Sequence, residues 1–258
     1  MTDYTKMIER IQSELHSELG QMNISEEGSI PSPIEFVDAI DVANIIDHTA
    51  LKATVDETAI HKLCAEAKQF GFASVCVNGR WVSEAVQQLK GSTVMTITVV
   101  GFPLGAHTTE SKAFQAAQAV LNGAQEIDMV VSVGDLKKRN HAYVLQDIRR
   151  VVESVSVPVK VILETCLLEP EEVVIGSILS KMAGAAFVKT STGFGGGGAR
   201  VEDVALMRQS VGPHMGVKAS GGVRSFEDVC AMVQAGATRI GASSGVAIVQ
   251  GMSGTEGY

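Results

Sequence analysis

A single α/β chain closed into a (β/α)8 barrel is the fold this sequence predicts, and three observations predict it. Its 258 residues match the roughly 250 that one such barrel needs. Short apolar runs alternate with helical patterns eight times, and successive β-then-α units build a parallel sheet. Polar residues gather where the apolar runs end, the face on which such barrels carry their sites. A doubly wound open sheet is the competing arrangement of the same units.

The chain divides into three parts. Residues 1–40 read as an N-terminal helical extension and linker, residues 41–251 as the barrel, and residues 252–258 as a flexible Gly-rich tail. In the extension, Tyr4, Ile8, Ile11, Leu15, Leu19 and Met22 fall on one helical stripe, and Asn23 to Pro33 is polar and punctuated by proline. The expected strands are Ala43–Ile46, Ser74–Val77, Val94–Val100, Ile127–Val131, Val159–Leu163, Ala186–Val188, Gly216–Lys218 and Arg239–Gly241. Helical patterns fill 55–70, 80–90, 109–122, 138–154, 170–183, 201–211 and 226–235, with a short one after Ser244. Thr54 with Glu57 and Ser225 with Asp228 have capping-box spacing, and Gly71, Gly123, Gly184 and Gly236 stand where helices end.

Composition excludes several function classes. A net charge of −8 argues against nucleic acid or an anionic membrane as the main partner. Nothing resembles a signal peptide, and no apolar run reaches membrane-spanning length. Cys64, Cys76, Cys166 and Cys230 are far apart in strand- or helix-like segments, the usage of a reducing compartment. A soluble cytoplasmic protein is the expectation.

Two strand ends share one design. Ala186-Phe187-Val188 runs into Lys189, Thr190, Ser191 and Thr192 and then into glycines, and Gly216-Val217 runs into Lys218, Ala219, Ser220, Gly221 and Gly222. An ammonium at the edge of an apolar core is costly. A neutral lysine can attack a carbonyl and form an iminium, an electron sink for cleaving or making a C–C bond. Adjacent strands lie about 4.8 Å apart, so two ammoniums there repel and lower one pKa. The spacing does not say which lysine is the nucleophile. Asp128, in Glu126-Ile127-Asp128-Met129, belongs to a strand of the same parity as that of Lys189, which lets the two share a layer. It reads equally as a proton shuttle or as a structural ion pair. Asp47, in Asp47-His48-Thr49 at the end of the first strand, either extends that relay or opens a helix-entry turn.

Gly221 and Gly222 after the seventh strand, and Gly241 to Gly245 after the eighth, read as a phosphate cradle. Ser243 and Ser244 supply hydroxyl donors there and Arg224 supplies charge. Gly193 to Gly198 fits G-x-G-x-x-G formally. Lys218 stands where a dinucleotide site needs an acidic residue, so that reading is rejected. The six histidines form no H-E-x-x-H or comparable motif, so no catalytic metal is expected.

These stretches resemble the deoxyribose-phosphate aldolases, class I aldolases on a TIM barrel. The resemblance is carried in order by Ile46–Lys52, Phe72–Asn78, Val99–Glu110, Glu126–Gly134, Val161–Leu168, Phe187–Ala199, Lys218–Arg224 and Ile240–Gly245. It implies reversible cleavage of 2-deoxy-D-ribose 5-phosphate to acetaldehyde and D-glyceraldehyde 3-phosphate, with no metal or organic cofactor, in a homodimer. It also implies roles: Lys189 as Schiff-base lysine, Lys218 as perturbing and proton-transferring lysine, Asp128 as acid/base and Asp47 as relay support. The substrate phosphate falls to Gly221, Gly222, Ser243 and Ser244. Two departures stand out. Phe194 occupies a place where some members carry lysine, and the forty N-terminal residues exceed what compact members need. Tyr258 ends the chain as in relatives whose terminal tyrosine reaches the site. A phosphosugar isomerase and a sugar-phosphate-binding protein are the rivals, and replacing Lys189 separates all three.

Overall fold

The computed structural model describes residues 4–20 and 38–254; Met22, the linker and Tyr258 lie outside the described residues. Eight parallel strands close into a barrel in sequence order: β1 (Ile46–Ala50), β2 (Ser74–Val77), β3 (Met95–Val100), β4 (Glu126–Val130), β5 (Val159–Ile162), β6 (Phe187–Lys189), β7 (Gly216–Ser220) and β8 (Arg239–Ala242). The barrel closes through β1 on β8, with Asp47 opposite Gly241. An open sheet is thereby excluded.

Helices form the outer layer: α2 (Glu57–Phe70), α3 (Val82–Gln88), α4 (Thr109–Leu121), α5 (Val133–Lys137), α6 (His141–Glu153), α7 (Pro170–Met182), α8 (Val201–Val211), α9 (Phe226–Gln234) and α10 (Gly245–Val249), with α1 (Thr5–Leu19) ahead of them. The core lies between strands and helices, as in Ile127, Val161, Val188, Ile178 and Leu179. Gly71, Gly123, Gly184 and Gly236 all take positive φ at helix ends, and Ser225 and Asp228 form the expected reciprocal cap. α1 keeps its predicted stripe and buries Ile8, Ile11 and Leu15 where it packs on α7 and α8. Arg10 pairs with Glu171 at 2.9 Å along the same seam.

Four expectations need correction. Ala39–Ile45 is a 3-10 turn, capped by Asp38, and β1 begins where its strand was expected to end. Ala39, Val42 and Ala43 are buried at helical spacing. Asp47, His48 and Thr49 therefore lie within the strand, their polarity having disguised it. The α2 cap is Asp56, whose carboxylate accepts from the Ala59 N–H at 2.9 Å; Thr54 plays no part in it. α5 was not expected, because its five residues carry too little periodicity, and the helix expected from 138 begins at His141 as α6. Cys166 is exposed in the turn after β5, while Cys64 and Cys76 are buried as expected.

Candidate active site

Strand register brings the predicted groups together. Lys189 ends β6 and stands opposite Lys218 on β7, which continues for two residues beyond that lysine. Asp128 on β4 stands opposite Lys160 on β5. All four side chains are buried. The Asp128 Oδ2 accepts from the Lys189 Nζ and from the Lys218 Nζ, each at 2.8 Å. The two lysine nitrogens are thus no farther apart than twice that distance. Asp47 Oδ2 lies 2.5 Å from the Lys218 Nζ, which ties the first strand to the seventh.

Three members of this cluster were not singled out from the sequence. Lys160 donates to Asp128 Oδ1 at 2.9 Å and lies 2.5 Å from Glu126. Arg239, on β8, donates to Asp47 Oδ1 at 2.8 Å and lies 3.3 Å from Glu126. A lysine between Val159 and Val161 reads as the solvent side of an alternating strand, and its place opposite Asp128 is visible only in the strand register. Ser74 also donates to Asp47 Oδ1, at 2.6 Å.

The cluster joins Lys160, Lys189, Lys218 and Arg239 to Asp47, Glu126 and Asp128. With every group ionised it would hold one more cation than anions, deep in a low dielectric. Loss of the Lys189 proton balances it. The electrostatics select that residue. Burial pushes the Lys189 ammonium below the ordinary lysine value and the Lys218 charge adds to this, while Asp128 opposes both. Burial also acts against Lys218, but Asp128 and Asp47 outweigh it and hold that ammonium well above its ordinary value. Burial would raise both aspartates; the cations overcome it. Lys218, Lys160 and Arg239 hold Asp47 below the carboxylate range, and Lys160, Lys189 and Lys218 do the same for Asp128. Cys76 is pushed up to about 11 by burial, which keeps it a neutral thiol.

The Lys-Thr-Ser-Thr run is a brace. Thr190 Oγ1 donates to the Ser220 carbonyl at 2.9 Å, and Ser220 Oγ donates to the Ser191 carbonyl at 2.7 Å. Glu164, a non-glycine residue at φ 58°, accepts from the Thr192 hydroxyl and backbone N–H. The glycine loop is then laid against the next one. A Cβ at Gly198 would come within 2.3 Å of the Gly221 carbonyl oxygen, so only glycine permits this approach. Phe194 meets Phe102 edge-on, with ring centroids 5.3 Å apart. These residues follow β6 and β3, so the contact crosses part of the barrel mouth.

The expected phosphate residues follow neighbouring strands, since Ser220 stands opposite Gly241. Gly221 and Gly222 take φ of 85° and 78°. Ser244 is buried and Ser243 half-buried, whereas Arg224 is exposed. Gly254 N–H donates to the Arg224 carbonyl at 2.9 Å, and a Cβ there would strike the Ser244 hydroxyl. The tail therefore spans both loops as far as it is described.

Comparison with known proteins identifies the family. The model for DeoC/LacD family aldolases matches residues 41–252. The chain belongs to that family. Over 218 residues it is 57% identical to a deoxyribose-phosphate aldolase of Lysinibacillus sphaericus, covering 84% of this chain and 98% of the relative. Over 208 residues it is 60% identical to one from Clostridium novyi, covering 80% and 94%. Among solved structures it is similar to the deoxyribose phosphate aldolase of Aeropyrum pernix, described as tetrameric. That match has 28% identity and a TM-score of 0.77, and covers 96% of this chain and 97% of the other.

Proposed function

We propose that this protein is a class I aldolase that reversibly cleaves 2-deoxy-D-ribose 5-phosphate to acetaldehyde and D-glyceraldehyde 3-phosphate. The observation that carries the reading is one carboxylate oxygen of Asp128 holding both lysines, with Lys189 pushed toward the neutral amine and Lys218 toward the ammonium. A neutral amine is the nucleophile this chemistry needs.

In the proposed sequence, Lys189 attacks the aldehyde carbon of the open-chain sugar. Asp128 and Lys218 return a proton to the carbinolamine oxygen, which leaves as water and gives the iminium. Deprotonation of the C3 hydroxyl then breaks the C2–C3 bond, and the electron pair moves into the iminium as an enamine. Glyceraldehyde 3-phosphate departs. Protonation of the enamine carbon and hydrolysis release acetaldehyde and regenerate Lys189. Asp47, itself held by Arg239, keeps Lys218 in place for this relay, and Lys160, itself held by Glu126, does the same for Asp128. The phosphate is assigned to the backbone N–H groups of Gly221 and Gly222 and to Ser243 and Ser244, with Arg224 and Gly241 completing the loops.

Borohydride reduction in the presence of acetaldehyde, followed by peptide mass mapping, tests the reading. A reduced ethyl adduct on Lys189 is expected. An adduct on Lys218 would reverse the two roles, and no adduct on a protein that still binds the phosphosugar would sink the imine mechanism.

We also propose a homo-oligomer, a dimer in the first instance. Phe114 and Leu121 are exposed one heptad apart on α4, and Leu104 is exposed just before them. A light-scattering mass of 27.2 kDa would overturn this. No described helix is long and apolar enough to cross a membrane. The four free thiols support a reducing, cytoplasmic setting.

A further inference from the structure

The outer helical layer carries a second cluster that the aldolase reading does not use. Glu57 and His61 lie one turn apart on α2, and Glu84 and Gln88 one turn apart on the neighbouring α3. The His61 Nε2 is 2.6 Å from Glu84 Oε1 and 3.8 Å from Glu57 Oε1. Each residue offers one ligand atom, and the three atoms lie within 4.8 Å of one another. The Gln88 amide is centred on the same point, its nitrogen 3.2 Å from His61 Nε2 and 3.0 Å from Glu84 Oε1. Turned over, that amide presents its oxygen instead.

We propose that Glu57, His61 and Glu84 form a structural zinc site that staples α2 to α3, with the Gln88 amide oxygen or a water as fourth ligand. Donors about 2.1 Å from a tetrahedral ion stand roughly 3.4 Å apart, within the range these atoms span. One imidazole nitrogen with carboxylate oxygens suits zinc, and two carboxylates neutralise a divalent charge. Lys68 reaches the end of α3 beside the cluster, donating to the backbone carbonyl of Gln88 at 2.9 Å, and leaves the Gln88 side-chain amide free of that bond. The sequence hides the site because the third ligand arrives from another helix.

A bare His61–Glu84 hydrogen bond is the alternative, and metal titration separates the two. Calorimetry with zinc chloride at neutral pH, in a buffer free of phosphate, should show one saturable equivalent and a raised melting temperature. His61→Ala and Glu84→Gln should each weaken binding at least tenfold. These side chains are partly exposed, so both variants should fold, and their aldol rate should be unchanged because the lysines lie inside the barrel. Absence of saturable binding overturns the proposal. Equal affinity in wild type and both variants does so too, since the metal then sits elsewhere.

Discussion

At the scale of single residues, Lys189 and Lys218 share one carboxylate oxygen yet are driven in opposite directions. Lys218 faces two aspartates and keeps its proton; Lys189 faces one, which it shares. Replacing Lys189 by Leu should abolish imine trapping and lower the aldol rate by roughly three orders of magnitude or more, ~4 kcal/mol of transition-state stabilisation. Lys218→Met removes one of the two influences that lower Lys189. The neutral amine should then appear only at higher pH, and the acid limb of the trapping rate should move upward. A limb that stays in place would deny Lys218 its perturbing role. Phe194 sits on a loop whose Gly193 Cα is 3.7 Å from a Cβ built at Gly221. Phe194→Lys should therefore lower the KM for the phosphorylated sugar by about 5–10-fold, ~1 kcal/mol. The KM for unphosphorylated 2-deoxyribose should not change.

Among the elements, α4 and α6 are joined by an ion pair with no part in the chemistry. Lys112 donates to Asp147 at 2.7 Å, both side chains are fully buried, and Thr109 adds a bond to the same carboxylate. Asp147→Asn leaves a buried ammonium without its counter-charge and should cost ~3–5 kcal/mol, read by urea unfolding. The rate per folded molecule should hold. β1 illustrates why some elements escape a reading by periodicity. Its Asp47 is buried only because Lys218, Arg239 and Ser74 come to it from other strands. Ser225 and Asp228 were legible because their partners are local.

On the scale of the whole molecule, α1 lies outside the closed barrel and packs on its helical layer. The matched family region begins at 41, whereas the Aeropyrum pernix alignment reaches ahead of it. Removing residues 1–37 uncovers what Ile8, Ile11 and Leu15 bury. Each such side chain is worth ~1.5–3 kcal/mol before ordering is discounted, so the melting temperature should fall by roughly 5–15 °C. Imine formation should survive, because the lysines are held by the barrel strands alone.

The sequence by itself determined the barrel, the order of its eight strands and the stretches that carry the two lysines, Asp128 and the glycine loops, because each rests on local periodicity or on a motif contiguous in the chain. Only the tertiary structure shows the surroundings that lower the Lys189 pKa and raise that of Lys218. It also supplied Lys160, Glu126 and Arg239, placed Asp47 inside β1, and turned Phe194 toward Phe102. Those outcomes depend on charges and rings brought together from strands far apart in sequence, whose Coulomb energies depend on distances that no linear pattern encodes.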